Sequence, residues 1–301
     1  MTNNPLITGI GEALYDLLPV GPVLGGAPLN AVFQAHQIGL HLGGKAVMVS
    51  RIGQDELGKS LFKKIKEHGM NHTFIQQDPN ADTGTVSITL NGTEPEYEIT
   101  KNVAWDKLEW NESLSDLANR CNAVCFGTLG QRAEPAKSTI QKFIQTATQA
   151  NRLFDVNLRQ NYFSKDTLDT CFQLSSIVKM NEEELPIVYK ILGLTNDKSP
   201  ILQIIDHYNL DLFVLTQGKL GTRIYSNGLI VEGMPVQFIP EENADSVGAG
   251  DACSAAILHG TTRNWPLQKT ANLANQLGAY VASRSGATPN LPPEILSEWQ
   301  T

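Results

Sequence analysis

The chain has 301 residues, 41% of them apolar and 18% charged, the make-up of a globular protein with material for a large core in one or two domains. A formal net charge of −8 excludes a nucleic-acid surface, because a phosphate backbone is met by a basic stripe that releases its counterions. No stretch reaches the roughly 20 apolar residues of a membrane helix, the start MTNNPLITGIGEAL lacks the basic flank of a signal peptide, and four cysteines in so long a chain point to a reducing, cytoplasmic setting.

In chain order, LITGIGEAL is strand-like and APLNAVFQAHQIGL is helical, closing near Gly39. KAVMVSRIG reads as a strand, and DELGKSLFKKIKEHG as an amphipathic helix with Asp55 as N-cap and Gly69 as stop. TGTVSITLNGTEPEYEIT, residues 83–100, alternates with period two about Asn91-Gly92, the residue pair of a tight hairpin turn. AVCFGTLG is the next strand, followed by AKSTIQKFIQTATQA (helix), RLFDVNLR (strand), KDTLDTCFQLSS (helix) and SIVKMN (strand). EEELPIVYKILG then reads as helix and LFVLTQG as strand, TRIYSNGLIVEG carries a hairpin signal at Asn227-Gly228, and LQKTANLANQLGAYVASRS is a long helical stretch.

Strands rich in Val, Leu, Ile and Phe that alternate with helices predict an α/β fold, with a central, mostly parallel sheet flanked by helices on both faces. Nothing marks a linker, so residues 1–301 are expected to form a single domain. The hairpin at 83–100 interrupts the alternation. With LYDLLPVGPVLGG beside it, it predicts a small β-sheet lid from about 13–25 and 83–106, which also offers a surface for a homodimer. The other reading is an extension of the main sheet's edge. In CNAVCFG, Cys121 and Cys125 stand four apart on one strand face with no second Cys/His pair near, which reads as buried thiols. His36 and His41 are similarly isolated and read as packed or solvated imidazoles.

Chemistry concentrates in ENADSVGAGDACSAAILHG, residues 242–260. Gly248 and Gly250 permit consecutive N–H groups to point inward as an anion nest, Ala249 keeps bulk away, and the helix that begins there adds positive potential. Asp251 at the same mouth would repel a bound phosphate, but it suits an alcohol that attacks phosphorus and must lose its proton. The plain alternative is a glycine-rich turn with an early-turn carboxylate stabilising the helix dipole. No Walker-type G-x-x-x-x-G-K-[ST] is present, and GIGEAL has Leu14 where a dinucleotide fingerprint needs its third glycine. In GGAPLN, Gly25 and Gly26 allow close approach of a polyol, and Asn30 offers both donor and acceptor; Asp16 can accept two hydroxyl protons. Each of these taken alone reads first as turn chemistry or a helix cap. Arg159 follows the C-terminal end of a strand, where ligands of open α/β sheets collect, or else forms a surface ion pair.

Taken together, GGAPLN, DVNLR (155–159), KMNEEE (179–184), TQGKLG (216–221) and DSVGAGD (245–251) occur in an order that resembles the ribokinase-like, phosphofructokinase-B type carbohydrate kinases, over nearly the whole chain. Within that family GEALYDLLP, YEITKNVAWD, GTLGQR and DVNLRQNYFS look most like fructokinases. The resemblance implies ATP-dependent phosphorylation of D-fructose at its 6-hydroxyl. It makes Asp251 the catalytic base and the backbone of Gly248, Ala249 and Gly250 the anion hole. Asp16, Gly25, Gly26, Asn30, Arg132 and Arg159 become the sugar side. Asn181, Thr216, Gly218, Gly221, Gly250 and Asn275 become the ATP side, and Asn181 and Glu184 support Mg²⁺ through water. Many relatives also bind K⁺ at a position like Asp245, with backbone carbonyls near Gly286. Three departures stand out: Ser246 replaces a usual Thr, Cys253 a usual Phe, and NYF stands where many fructokinases carry Leu-Trp.

Overall fold

The computed structural model describes residues 4–19, 21–91, 94–195 and 198–300, and only the backbone of residues 88–91 and 94–97. The strands are β1 (Leu6–Ile10), β2 (Leu14–Leu18), β3 (Gly21–Gly25), β4 (Lys45–Gly53), β5 (Ile75–Asp78), β6 (Gly84–Asn91) and β7 (Glu94–Ile99). They continue as β8 (Ala123–Phe126), β9 (Asn151–Asp155), β10 (Ile177–Asn181), β11 (Leu212–Thr216), β12 (Thr222–Ser226) and β13 (Leu229–Glu232). The helices are α1 (Ala27–Leu42), α2 (Glu56–Glu67), α3 (Glu112–Arg120), α4 (Ala136–Thr146) and α5 (Lys165–Leu174). After them come α6 (Glu184–Leu192), α7 (Pro200–Tyr208), α8 (Ala249–Thr262), α9 (Leu267–Val281) and α10 (Pro293–Ser297).

Nine strands form the main sheet in the order β13-β12-β11-β10-β9-β8-β1-β4-β5. Pairing is parallel from β11 to β5, and the β12–β13 hairpin adds an antiparallel edge. Helix α1 leads from the second sheet back to β4, on one side of β1, while β8 lies on the other, so the strand order reverses at β1. A crevice opens at the carboxyl ends of strands at such a point.

Two apolar clusters cover the two sheet faces. One gathers α1, α2, α8, α9 and Trp299, and the other gathers α3 to α7. Asp55 caps α2 as expected, accepting from Gly58 N–H at 2.7 Å, and Gly69 ends that segment with φ +69°. Helix α1 runs three residues past the expected stop at Gly39, because no chain-breaking residue follows until Gly43. Cys121 and Cys125 are both buried with free thiols, but they do not share a strand face. Cys121 caps the end of α3 before β8 begins, and the two thiols enter opposite clusters.

The second sheet is separate, with strand order β3-β2-β6-β7. It stands outside the main sheet, and its strands lie within residues 14–25 and 84–99. Gly92 of the expected hairpin turn lies outside the described residues, while the flanking pair Asn91 and Glu94 is in register. Residues 104–107 instead form a short 3-10 turn in which Trp105 is 2% exposed beneath the lid with Leu14, Val86, Ile99, Val103 and Leu129.

Candidate active site

The site grows from two helix starts. Gly248 precedes α8 with φ +78°, and a Cβ there would stand 2.5 Å from the Cβ of Ala287, so glycine is required on both counts. The first helical N–H groups have no partner within the helix, and the mouth is open: Gly250 is exposed and Gly248 and Ala249 are half-buried. Asp251 sits in this first turn. Its Oδ2 accepts from Asn30 Nδ2 at 2.8 Å, and Asn30 stands in the first turn of α1, 97% removed from solvent by its 3% exposure. Burial, reinforced by the Asp155 carboxylate, pushes the Asp251 carboxyl up to about 6, while Asn30, Lys179 and Arg159 pull against that rise.

Around this pair the lid root and α1 bring Asp16, Gly25 and Gly26. A Cβ on Gly25 would lie 2.5 Å from Asp16 Oδ2, so the missing side chain is what lets the carboxylate in. Gly26, with φ +107°, passes so close to the Glu12 carbonyl that a Cβ would stand 2.5 Å from that oxygen. Burial raises the Asp16 carboxyl above its ordinary value; the charge of Arg159 opposes this and that of Asp245 adds to it. Arg159 is exposed, donates to the Leu158 carbonyl at 3.3 Å, and exerts its charge on Glu12, Asp16 and Asp251. The structure thus gathers Asp16, Gly25, Gly26, Asn30, Arg159 and Asp251 into one neighbourhood.

Arg132 is used differently. Its Nε and Nη2 grip Asp106 Oδ1 and Oδ2, both at 2.8 Å, its Nη2 also donates to the Thr100 carbonyl, and its guanidinium stacks 3.9 Å from the Trp105 ring. It ties the root of the lid to the body, with only Nη1 left without a partner.

On the other side of α8, Asn181 Oδ1 accepts from the N–H groups of Glu183 and Glu184 at 2.9 and 2.8 Å. Glu184 accepts from Leu158 N–H through Oε1 and from Asn181 N–H through Oε2, and burial raises its carboxyl above the ordinary range. Thr216 ends β11, Gly218 and Gly221 adopt φ +54° and +96° in the following loop, and Gln217 N–H closes that loop on the Gly221 carbonyl at 2.8 Å. Asn275 on α9 is buried against Gly221 and Gly233, donating to the Met234 carbonyl at 3.1 Å while its Oδ1 lacks a partner. Asp245 accepts from Val247 N–H at 2.9 Å and from Gly286 N–H at 3.1 Å, which places it against the segment expected beside it.

Three charged residues lie inside the quoted motifs but were given no role there. Glu12 is 2% exposed, its Oε2 has no hydrogen-bond partner, and burial drives its carboxyl up to about 7. Lys179 and Asp155 form a buried ion pair with Nζ–O distances of 2.7 and 2.8 Å. The available signal was charge inside otherwise apolar strand segments, GIGEAL, RLFD and SIVKMN, which a buried sheet tolerates only when the charge is paired or used.

A mostly parallel sheet, a small β-sheet lid and a glycine-bounded helix start at the strands' carboxyl edge make this a ribokinase-like fold. The chain belongs to the pfkB family of carbohydrate kinases, whose family pattern matches residues 20–294. The uncharacterized sugar kinase PH1459 of Pyrococcus horikoshii is 28% identical over 305 residues, spanning 94% of this chain and 91% of that protein. Its crystal structure in complex with ATP superposes with a TM-score of 0.79, covering 94% of each chain. Fructokinase-1 of Oryza sativa subsp. japonica is 26% identical over 320 residues, spanning 96% of this chain and 95% of the relative. A double mutant of the Vibrio cholerae O395 fructokinase, solved in a fructose-, ADP- and potassium-bound form, shares the fold with a TM-score of 0.79 at 24% identity, covering 98% of each chain. Among the described residues no helix is long and apolar enough to cross a membrane.

Proposed function

We propose that this carbohydrate kinase transfers the γ-phosphoryl group of ATP to the 6-hydroxyl of D-fructose, giving fructose 6-phosphate and ADP. The observation that carries the reading is the Asp251 carboxylate, oriented by Asn30 at 2.8 Å and standing in the solvent-open first turn of α8, whose N–H groups have no partner within the helix. In the forward step Asp251 accepts the proton of the primary hydroxyl. The hydroxyl oxygen bonds to the γ-phosphorus in line, and the bond to the β–γ bridging oxygen breaks with its electron pair leaving on ADP. Charge that develops on the transferring group is met by the amides of Gly248, Ala249 and Gly250. Asp16, Asn30 and the backbone at Gly25 and Gly26 hold the sugar's hydroxyls, and Arg159 supplies positive charge at the same opening.

Asn181 and Glu184 fit a Mg²⁺ that keeps its water shell. Their oxygens already accept backbone N–H groups, so what remains is acceptor capacity for coordinated water. A bound Mg²⁺ would neutralise polyphosphate charge; the chain's own part is to hold Asn181 against the start of α6. Thr216, Gly218, Gly221 and Asn275 shape the loop for the nucleotide. Asp245 beside Gly286 is the K⁺ candidate, a reading supported by the potassium-bound Vibrio cholerae relative.

Fructose is favoured over other sugars by the fructokinase names among the relatives and by the segments GEALYDLLP and DVNLRQNYFS. ADP formation measured across fructose, ribose, 2-keto-3-deoxygluconate, tagatose phosphate and adenosine tests this. Fructose ranking far below another acceptor overturns the sugar assignment, and tight sugar binding with no ADP from any of them marks a non-catalytic sugar-binding protein. Cytoplasmic residence and a homodimer through the lid belong to the same proposal. Light scattering on an eluting peak that reports only monomer at micromolar concentration rejects the dimer.

A further inference from the structure

Behind the first turn of α8 lies a buried network of residues to which the motifs assign no role. Lys179, two residues from the end of β10, donates from Nζ to both oxygens of Asp155, the last residue of β9. The two side chains are 6% and 7% exposed. Ser254, one turn into α8, donates from Oγ to Asp155 Oδ2 at 2.7 Å and to the Gly250 carbonyl at 3.3 Å. A Cβ added to Gly250 would stand 3.6 Å from Lys179 Nζ, so the ammonium lies directly behind the amide turn.

An ion pair this deep is weak evidence for stability, since removing two charges from water offsets most of their attraction. Its position is more telling. The strand ends that carry it meet the start of α8, where Asp251 stands, and Ser254 connects the helix to the pair. We propose that Lys179 and Asp155 are positioning residues for phosphoryl transfer: the pair anchors the first turn of α8 through Ser254 and balances the charge that Asp251 and the amide turn experience. The proposal rests on the kinase reading above.

Neither residue needs to touch sugar or phosphate; each acts through α8. Asp155 opposes ionisation of Asp251 and Lys179 favours it. The other groups facing Asp251 are Asn30 on α1, Arg159 beyond β9, Glu12 in the β1–β2 turn and the Cys125 thiol on β8. Because the two members of the pair act with opposite sign, removing them one at a time separates this role from mere packing.

The test is the pH dependence of kcat/KM in the full-length protein. Lys179→Met leaves the Asp155 charge unbalanced and is expected to move the acid limb up by on the order of one pH unit. Asp155→Asn leaves the ammonium unbalanced and moves that limb down. The double variant Lys179→Met/Asp155→Asn returns the limb near the parent's but lowers kcat on the plateau, with KM for sugar and ATP little changed. Circular dichroism and melting confirm the fold. If a single variant does not fold, the double variant, which buries no lone charge, carries the test through its kcat. Shifts of the same sign, or parent-like profiles and kcat in folded variants of an active parent, overturn this inference and leave the kinase reading intact. A parent that forms no ADP with any sugar overturns both.

Discussion

Asn30 and Asp251 lie 221 residues apart in the chain and meet at 2.8 Å, each in the first turn of its helix. The amide of Asn30 leaves one Asp251 oxygen as the oriented acceptor and favours its charged form. Asp251→Asn is expected to lower kcat by on the order of 10²–10⁴ while calorimetric nucleotide binding persists, since a general base acts on the chemical step.

In the proposed reaction the ionised form of Asp251 is the active one, and burial raises its pKa from an ordinary 3.8 to about 6. Activity is therefore expected to fall as pH drops through about 6. Asn30→Leu removes the donor that favours ionisation, so its acid limb moves to higher pH. A profile that stays level down to pH 5 in the parent would discard Asp251 as the base.

Glu12 is buried, with Oε2 unpartnered and its pKa raised from 4.5 to about 7. A carboxyl whose folded value lies above its unfolded value contributes stability below pH 4.5 that is lost as pH rises through 7. The loss amounts to about 3 kcal/mol at 1.36 kcal/mol per pH unit. Glu12→Gln carries no ionisable group, so its melting temperature relative to the parent is expected to be higher at pH 8 than at pH 5. An equal difference at both pH values refutes this.

Gly25 admits the Asp16 carboxylate only because it has no side chain. Gly25→Ala displaces that carboxylate and is expected to raise KM for the sugar roughly tenfold, the loss of one hydrogen bond to a charged group, with KM for ATP unchanged. Steady-state kinetics with each substrate varied in turn distinguishes this from a general loss of activity.

Arg132 holds Asp106 through two 2.8 Å contacts with both side chains nearly buried. Arg132→Met strands a buried carboxylate and is expected to cost about 3–5 kcal/mol in denaturant titrations. Arg132→Lys rescues little, because an ammonium cannot reproduce the two parallel bonds of a guanidinium. A variant that melts like the parent but binds sugar poorly would place Arg132 among the sugar ligands instead.

What the sequence determined by itself was local or periodic. Apolar strands alternating with helices gave the parallel sheet, Asp55 and Gly69 bounded α2, and Asn227-Gly228 formed its hairpin, with φ +46° and +78° at the turn. The ordered motifs brought out the residues that gather at the site, because glycines at Gly25, Gly26 and Gly248 answer to steric demands that few other residues meet. The remaining helices, α3, α7 and α10, are short or polar and depend on packing for their stability. Only the tertiary structure decided how long-range partners share their polar groups. It spent Arg132 on Asp106, buried Asn275 between two glycines, sent Cys121 and Cys125 to opposite faces, and set Lys179 and Asp155 behind α8. A side chain's ionisation and partners depend on which distant atoms exclude water from it, and that is fixed when the sheet closes, not by the spacing of residues along the chain.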